Sequence, residues 1–296
     1  MHLPAAFKRP TLLIVGCGDV GLRVARQLRA RYRVLALTSS QPRAQTLRDA
    51  GVVPLIGNLD HHETLFRLGS LADAVLHLAP PPLSGCTDPR TANLLQCLAR
   101  AGRVRRIVYG STTGVYGDCS GALFDETRRV NPSTDRARRR VDAEAQLRQF
   151  GRAMRVTVTV LRIPGIYAGD REGGHPRERL KRGSPVLAAE DDVFTNHIHA
   201  DDLARACTAA LTRGLPQRVL HACDDTDLKM GDYFDLAADL ESVPRPRRIS
   251  RAQAAQDLSP LLLSFMSESR RLTNHRLKTE LKLKLRYPTV NTGLLA

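Results

Sequence analysis

Thr11-Leu-Leu-Ile-Val-Gly16-Cys-Gly18-Asp-Val-Gly21-Leu-Arg-Val-Ala-Arg-Gln-Leu28 is the stretch from which the fold can be read. Five apolar or β-branched residues run into Gly-x-Gly-x-x-Gly, and Val20, Val24 and Leu28 then repeat at helical spacing. Strand, glycine turn and helix in that order point to a nucleotide-binding βαβ start. Gly16 permits the tight turn, Gly18 lets a pyrophosphate approach the backbone, and Gly21 lets the helix pack closely on the strand. Negative charge on the ligand would meet the free N–H groups and the positive dipole end of that helix. Cys17, Asp19 and Val20 complete the turn and join the three glycines as candidate cofactor-binding residues.

Outward from this point, strand and helix patterns alternate. Strands are expected at Thr11–Val15, Arg33–Leu37, Val53–Ile56, Ala74–Leu78, Arg106–Tyr109 and Val156–Leu161. Helices are expected between them at Val20–Ala30, Pro42–Ala50, His61–Leu68, Pro89–Ala101 and Thr134–Phe150. This alternation predicts an α/β fold: a Rossmann-type, doubly wound parallel sheet, with ligands at the carboxyl ends of its strands. After Leu161 the pattern loosens. Gly169–Pro185 reads as a mobile surface loop, Asp201–Arg213 as a helix, Arg218–Ala222 as a strand and Asp232–Leu240 as a helix. Leu281-Lys-Leu-Lys-Leu-Arg286 alternates as a half-exposed strand would. The expected division is a Rossmann domain over residues 1–165, with 195–220 returning to it, and a smaller C-terminal α/β lobe over 166–296.

A chain of 296 residues with 42% hydrophobic content can bury a large core. No apolar run approaches the roughly 20 residues of a membrane helix, and Met1–Pro10 lacks the apolar stretch of a leader. A cytoplasmic protein with no membrane partner is expected. Cys17, Cys86, Cys97, Cys119, Cys207 and Cys223 are scattered, without the spacing of a disulfide framework or a zinc site. The net charge of +15 raises the question of nucleic acid. Of the 45 basic residues only 6 are lysines, aromatic content is 4% with no Trp, and no helix-turn-helix or zinc-finger spacing occurs. Nucleic acid is therefore not the expected partner. A nucleotide ligand accounts for part of the charge.

Beyond the glycine turn, four segments carry a resemblance. They are His77-Leu-Ala-Pro-Pro-Pro82, Tyr109-Gly-Ser-Thr-Thr-Gly-Val-Tyr-Gly117, Leu161-Arg-Ile-Pro-Gly-Ile-Tyr167 and Asn196-His-Ile-His-Ala-Asp-Asp-Leu203. With them the chain resembles the extended or atypical short-chain dehydrogenase/reductase superfamily, in its NAD-dependent epimerase/dehydratase branch. Arg271-Leu-Thr-Asn274 through Arg286-Tyr-Pro288 is similar to the C-terminal lobe of a bacterial subgroup. The resemblance implies an oxidoreductase or epimerase fold using NAD(P), acting on a nucleotide sugar or another anionic small molecule, and it leaves room for a homodimer. It adds Leu78, Ala79 and Pro80 to the cofactor residues, and Asn58 and Leu59 in Gly57-Asn-Leu-Asp60 as the adenine-pocket segment. An NAD-selective protein carries Asp or Glu at the end of the second strand. Here Thr38-Ser39-Ser40 stands there, with Arg43 close behind, which suits a 2′-phosphate and favours NADP over NAD.

The catalytic set departs from the pattern. The superfamily uses Ser/Thr with a Tyr-x-x-x-Lys pair, whose tyrosine exchanges a proton with the substrate. Thr112 matches the Ser/Thr position, but the Tyr and Lys positions align with Arg136 and Arg140. The residues four after Tyr32, Tyr109, Tyr116, Tyr167, Tyr233 and Tyr287 are Ala36, Thr113, Ser120, Arg171, Ala237 and Asn291. Arginine, with a pKa above about 12, has no proton to exchange near neutrality. Arg136, Arg140 and Glu144 share a helix face, where the arginines could hold anionic groups, and Arg138 and Arg139 suit an ion-paired surface. Tyr116, four residues after Thr112, is the best surviving phenol near it and the remaining candidate acid. His197, His199, Asp201 and Asp202 read as a structural linker, and no metal is expected. Two readings follow: an enzyme with an atypical catalytic set, or a non-catalytic NADP-binding regulator.

Overall fold

Buried β-branched and leucine residues build the centre. Thr11–Val15 (β1) is buried along its whole length and pairs in parallel with Arg33–Thr38 (β2) and Ala74–His77 (β4), so that Leu13 lies between Leu35 and Val75. Val53–Ile56 (β3) adds beyond β2 in parallel, and Arg106–Thr112 (β5) adds beyond β4. Thr157–Ile163 (β6) and Arg218–His221 (β7) complete a seven-stranded sheet of order β7-β6-β5-β4-β1-β2-β3. The reversal of strand order next to β1 is the doubly wound arrangement that the alternating pattern predicts. The computed structural model describes residues 9–296, so the expectation about a leader falls mostly outside the described residues.

The helices are Asp19–Leu28 (α1), Gln41–Asp49 (α2), Pro89–Ala101 (α3), Asp135–Ala153 (α4) and Ala200–Arg213 (α5). Their starts follow from local chemistry. Ser40 accepts the Arg43 N–H at 3.4 Å, and Asp88 accepts the Thr91 N–H at 3.1 Å. Each of these two caps is followed by a proline in the first turn, where a missing donor costs nothing. Asp88 also receives the Thr91 hydroxyl at 2.9 Å, and that hydroxyl meets His77 Nε2 at 3.0 Å, tying the start of α3 to the end of β4.

Two compact units emerge, interleaved along the chain. The first gathers the chain up to Gly110 with Asp142–Val160 and Cys207–Arg218; the second holds Ser111–Val141, Leu161–Ala206 and Val219–Ala296. Residues 111–141, assigned above to the Rossmann domain, thus belong with the second unit. That unit is built from short ladders: Gly165–Tyr167 with His197–His199, Phe194–Thr195 with Leu228–Lys229, Val186–Leu187 with Arg248–Ile249, and Leu123–Phe124 with Arg271–Leu272. A core around Tyr167, Val186, Val193, Tyr233, Phe234 and Met266 joins several of these.

Three local expectations are corrected. His61–Leu68 is a 3₁₀ turn at His62–Leu65 followed by one helical turn at Leu68–Leu71. The Thr64 hydroxyl donates to the His61 carbonyl at 2.7 Å and accepts the Asn58 N–H at 2.9 Å, which favours a tight turn over a continuous helix. Leu281–Arg286 alternates in burial as expected, with Leu281, Leu283 and Leu285 inside and the basic residues outside, yet it is not a strand among the described residues. Gly169–Pro185 contains a helix at Arg177–Lys181, anchored by Arg177 to Glu241 at 2.7 Å. Among the described residues no helix is long and apolar enough to cross a membrane, and all six cysteines are free.

Candidate functional site

In the first unit, a cleft of about 460 Å³ opens at the carboxyl ends of β1, β2 and β4. Gly16 sits at φ +88°, and a Cβ there would collide with the Ala79 backbone, so only glycine lets the turn pass beneath Leu78 and Ala79. A Cβ on Gly21 would press on Ile14 and Cys17 at 3.3 Å, as close packing of helix on strand requires. Above Gly18 there is open space, and Gly18 heads α1 with no side-chain cap. The helix therefore presents uncapped N–H donors toward the opening, a ready cradle for phosphate.

Arg43 reaches back across this turn and donates through Nη2 to the Cys17 carbonyl at 3.0 Å. It borders the cleft with Thr38, Ser39, Asn58, Leu59, Leu78, Ala79 and Pro80. Gly16, Cys17 and Gly18 border it as well, whereas Asp19, Val20 and Gly21 do not. Val20 and Gly21 face the core, and Asp19 accepts from Arg23 at 3.1 Å. Among the described residues no carboxylate borders the cleft at the end of β2. Burial pushes the Cys17 thiol up to about 11 despite the neighbouring Arg43, so it stays protonated near neutrality. Asn58 caps its own turn by accepting the Asp60 N–H at 3.0 Å. Arg90, absent from the sequence-derived set, borders the cleft and grips Asp60 through two 2.7 Å bonds, which hold that carboxyl below the usual range. Its signal was its place: the first turn of the helix that follows β4.

In the second unit, a cavity of about 360 Å³ is bordered by Thr112, Thr134, Arg136, Arg171, Glu268 and Arg270. Thr112 ends β5 and accepts the Gly114 N–H at 3.2 Å, leaving its own O–H to donate. Thr134 caps the Ala137 N–H at 3.2 Å, so Arg136 projects from the first turn of α4. A cation there opposes the helix dipole, which makes it a costly place for an arginine without an anion to meet. Burial, with Arg140 and Arg139 beside it, draws the Arg136 guanidinium below its ordinary value. Glu268 accepts from Ser133 at 2.7 Å and pairs with Arg270 at 2.7 Å. Three arginines thus face one carboxylate. A second cavity of about 380 Å³ shares Thr113, Gly165, Phe265, Glu268 and Arg270 and extends to His197, Tyr233 and Phe234. Glu268 and Arg270 lie outside every segment that carried the sequence resemblance, and no local pattern marks them.

Not all expected site residues assemble here. Tyr116 is 1% exposed, its hydroxyl held between His221 Nε2 at 2.6 Å and Arg162 Nη1 at 2.7 Å. His221 donates from Nδ1 to the Thr273 carbonyl at 2.9 Å, so its Nε2 is the acceptor for the phenol. Tyr116 is therefore a buried packing residue, and it borders neither cavity. Arg140 borders neither cavity as well. Arg138 pairs with Asp135 at 2.6 Å as a surface residue should, but Arg139 is buried. Asp202 accepts the Arg286 and Tyr287 N–H groups at 2.9 and 2.8 Å, and His199 packs on Tyr287 at 4.0 Å. That segment fastens a later part of the chain.

Residues 12–223 match the NAD dependent epimerase/dehydratase family. The chain belongs to that family. It is 33% identical over 248 residues to a 4-hydroxy-2-methyl-3-oxo-4-farnesyl-3,4-dihydroquinoline-1-oxide ketoreductase of Stigmatella aurantiaca, covering 79% of this chain and 73% of that one. Protein YeeZ of Escherichia coli K12 is 28% identical over 222 residues, 71% of this chain and 76% of its own. A functionally unknown conserved protein from Silicibacter pomeroyi has a solved structure with TM-score 0.82 and 31% identity, covering 97% of both chains. The UDP-glucose 4-epimerase of Thermotoga maritima shares the fold at TM-score 0.78 and 20% identity, covering 96% of both chains.

Proposed function

We propose that this family member is an NADP-preferring oxidoreductase acting at a carbonyl or hydroxyl carbon of an anionic small molecule such as a nucleotide sugar. The observation that carries the reading is Arg43, bonded across the glycine turn and bordering the cleft beside Thr38 and Ser39 with no carboxylate on that strand end. A guanidinium in that place suits a 2′-phosphate. The residues present fit a dinucleotide: open space over Gly18, uncapped helix donors, and the Asn58–Leu59 segment for the adenine. When bound, the nicotinamide dinucleotide supplies or accepts the hydride. Arg136 and Arg171 bind the substrate's negative group, and the Thr112 hydroxyl orients the reacting oxygen. Glu268, the one carboxylate bordering the second-unit cavity among the described residues, takes or returns the proton. The ketoreductase activity named for the Stigmatella aurantiaca relative supports carbonyl chemistry.

The test is titration with NADPH and NADH, followed by nicotinamide fluorescence, on wild type and Arg43→Ala. Tight NADPH binding that weakens about tenfold or more in the variant, with NADH little changed, is expected. Failure to bind either nucleotide overturns the reading. The sealing of Tyr116 favours a second reading, a non-catalytic NADP-binding regulator. NADPH binding without turnover across a panel of carbonyl substrates selects it.

A further inference from the structure

The edge of the first unit opposite the nucleotide cleft carries an unusual surface. In a parallel sheet all strand starts lie along one edge, and here backbone hydrogen bonds lock them side by side. Arg33 N–H donates to Pro10 at 2.9 Å, Asp73 to Thr11 at 2.9 Å, Arg105 to Asp73 at 2.9 Å and Thr157 to Arg105 at 3.0 Å. Gln217 Nε2 donates to the Val156 carbonyl at 3.1 Å and brings the last start alongside. Four of the segments entering these strands are Arg29-Ala-Arg-Tyr-Arg33, Ala101-Gly-Arg-Val-Arg-Arg106, Arg152-Ala-Met-Arg155 and Arg213-Gly-Leu-Pro-Gln-Arg218. None contains a carboxylate. At about 4.8 Å per strand, the row from β2 to β7 spans roughly 24 Å.

Two simpler explanations fall short. Composition alone would enrich both edges, yet the cleft edge mixes Arg43 and Arg90 with Asp19, Asp60 and Asp88. Helix C-termini attract one basic residue each, and Arg26, Arg100, Arg152 and Arg213 meet that need. The surplus remains. Arg29, Arg31, Arg33, Arg105 and Arg155 are exposed and make no ion pair among the described residues. Asp73, on the same edge, is already paired with Arg103 at 2.9 Å.

What lies between the arginines indicates the partner. Ala30, Ala101, Ala153 and Pro216 are exposed, as are Met154 at 38% and Leu215 at 47%. Nucleic-acid phosphates would gain nothing from them. A lipid surface would, because apolar side chains enter between headgroups while guanidiniums meet the phosphates. We propose that this strand-start edge docks on an anionic phospholipid surface, leaving the nucleotide cleft at the other end of the strands open. The expectation of no membrane partner rested on the lack of a spanning run, which surface docking does not need.

The test is co-sedimentation of the full chain with vesicles of phosphatidylcholine alone and of equal parts phosphatidylcholine and phosphatidylglycerol. Binding to the anionic vesicles only, weakening as salt rises, is expected. Arg31→Glu with Arg105→Glu should cut it at least tenfold, at about fivefold for each charge merely removed. Leu215→Ser with Met154→Ser should weaken it several-fold at physiological salt. Circular dichroism checks that each variant is folded. Arg129→Glu with Arg182→Glu, both exposed in the second unit, should leave binding within twofold. No binding at low salt overturns the proposal, and so does an equal loss in the control pair. Tighter binding to a DNA duplex than to anionic vesicles, lost in the Arg31/Arg105 variant, also overturns it in favour of nucleic acid.

Discussion

At the scale of single residues, the roles divide between those a motif dictates and those only packing reveals. The positions of Gly16, Gly18 and Arg43 at the cleft and of Thr112 at its cavity were legible because each sits at a fixed distance from a strand end, where backbone geometry constrains side-chain choice. The surroundings of Tyr116 were not legible for the opposite reason, since they come from His221 and Arg162, far away in sequence. Tyr116→Phe strands the His221 acceptor and should cost about 1–3 kcal/mol in denaturant unfolding, with any turnover unchanged. Glu268→Gln, with Arg270 still charged beside it, should instead lower kcat by about 100-fold or more while NADPH affinity holds. Buried ionisable groups also set a pH response. Burial pushes His197 and His221 down to about 4, so the unfolded chain binds more protons than the fold from there up to about 6.5. Stability therefore falls as pH drops through that window. Asp224 opposes this: burial raises its carboxyl to about 7, so stability falls as pH rises from about 4. Each group is worth a few kcal/mol at most. Asp224→Asn removes the counterweight, and its melting temperature should drop more steeply than that of wild type between pH 6.5 and 4.5.

Elements were readable where their period met a tertiary partner. Pro89–Ala101 appears with the expected limits because Asp88 and the following proline fix its start and Gly102, at φ +57°, fixes its end. The turn at His62–Leu65 escaped because a threonine hydroxyl, not an apolar period, governs it. Leu281–Arg286 is the informative failure. Alternation in sequence reported a face against the core and a face in water, and both exist, but it carries no information on whether a neighbouring strand is available. Leu283→Ser should therefore destabilise the fold by about 2–3 kcal/mol, as for a buried leucine. Lys284→Ser should stay within about 0.5 kcal/mol, because no ladder depends on it. Urea unfolding of the two variants distinguishes this segment from a true strand, in which both positions would matter.

For the molecule as a whole, the parallel sheet with the cleft at its carboxyl edge was evident from alternation. The interleaving of the two units was not, because it depends on which loop each crossing segment joins. Asp202 shows what that interleaving demands. It is fully buried, and two of its partners are the backbone N–H groups of Arg286 and Tyr287, the latter 85 positions further along. Asp202→Ala should leave those donors and Arg205 unmatched and cost about 3–5 kcal/mol, read as a lowered urea midpoint. There is also a consequence in time. At about 5–20 residues per second, a ribosome adds the segment from Asp202 to Tyr287 over roughly 4–17 s. Throughout that interval the nascent chain carries a carboxylate that has no dry place to go, while the glycine turn and the first six strands of its sheet have already been made. The nucleotide fold can form early on the ribosome; its companion must wait, and chaperone dependence should concentrate in that delay.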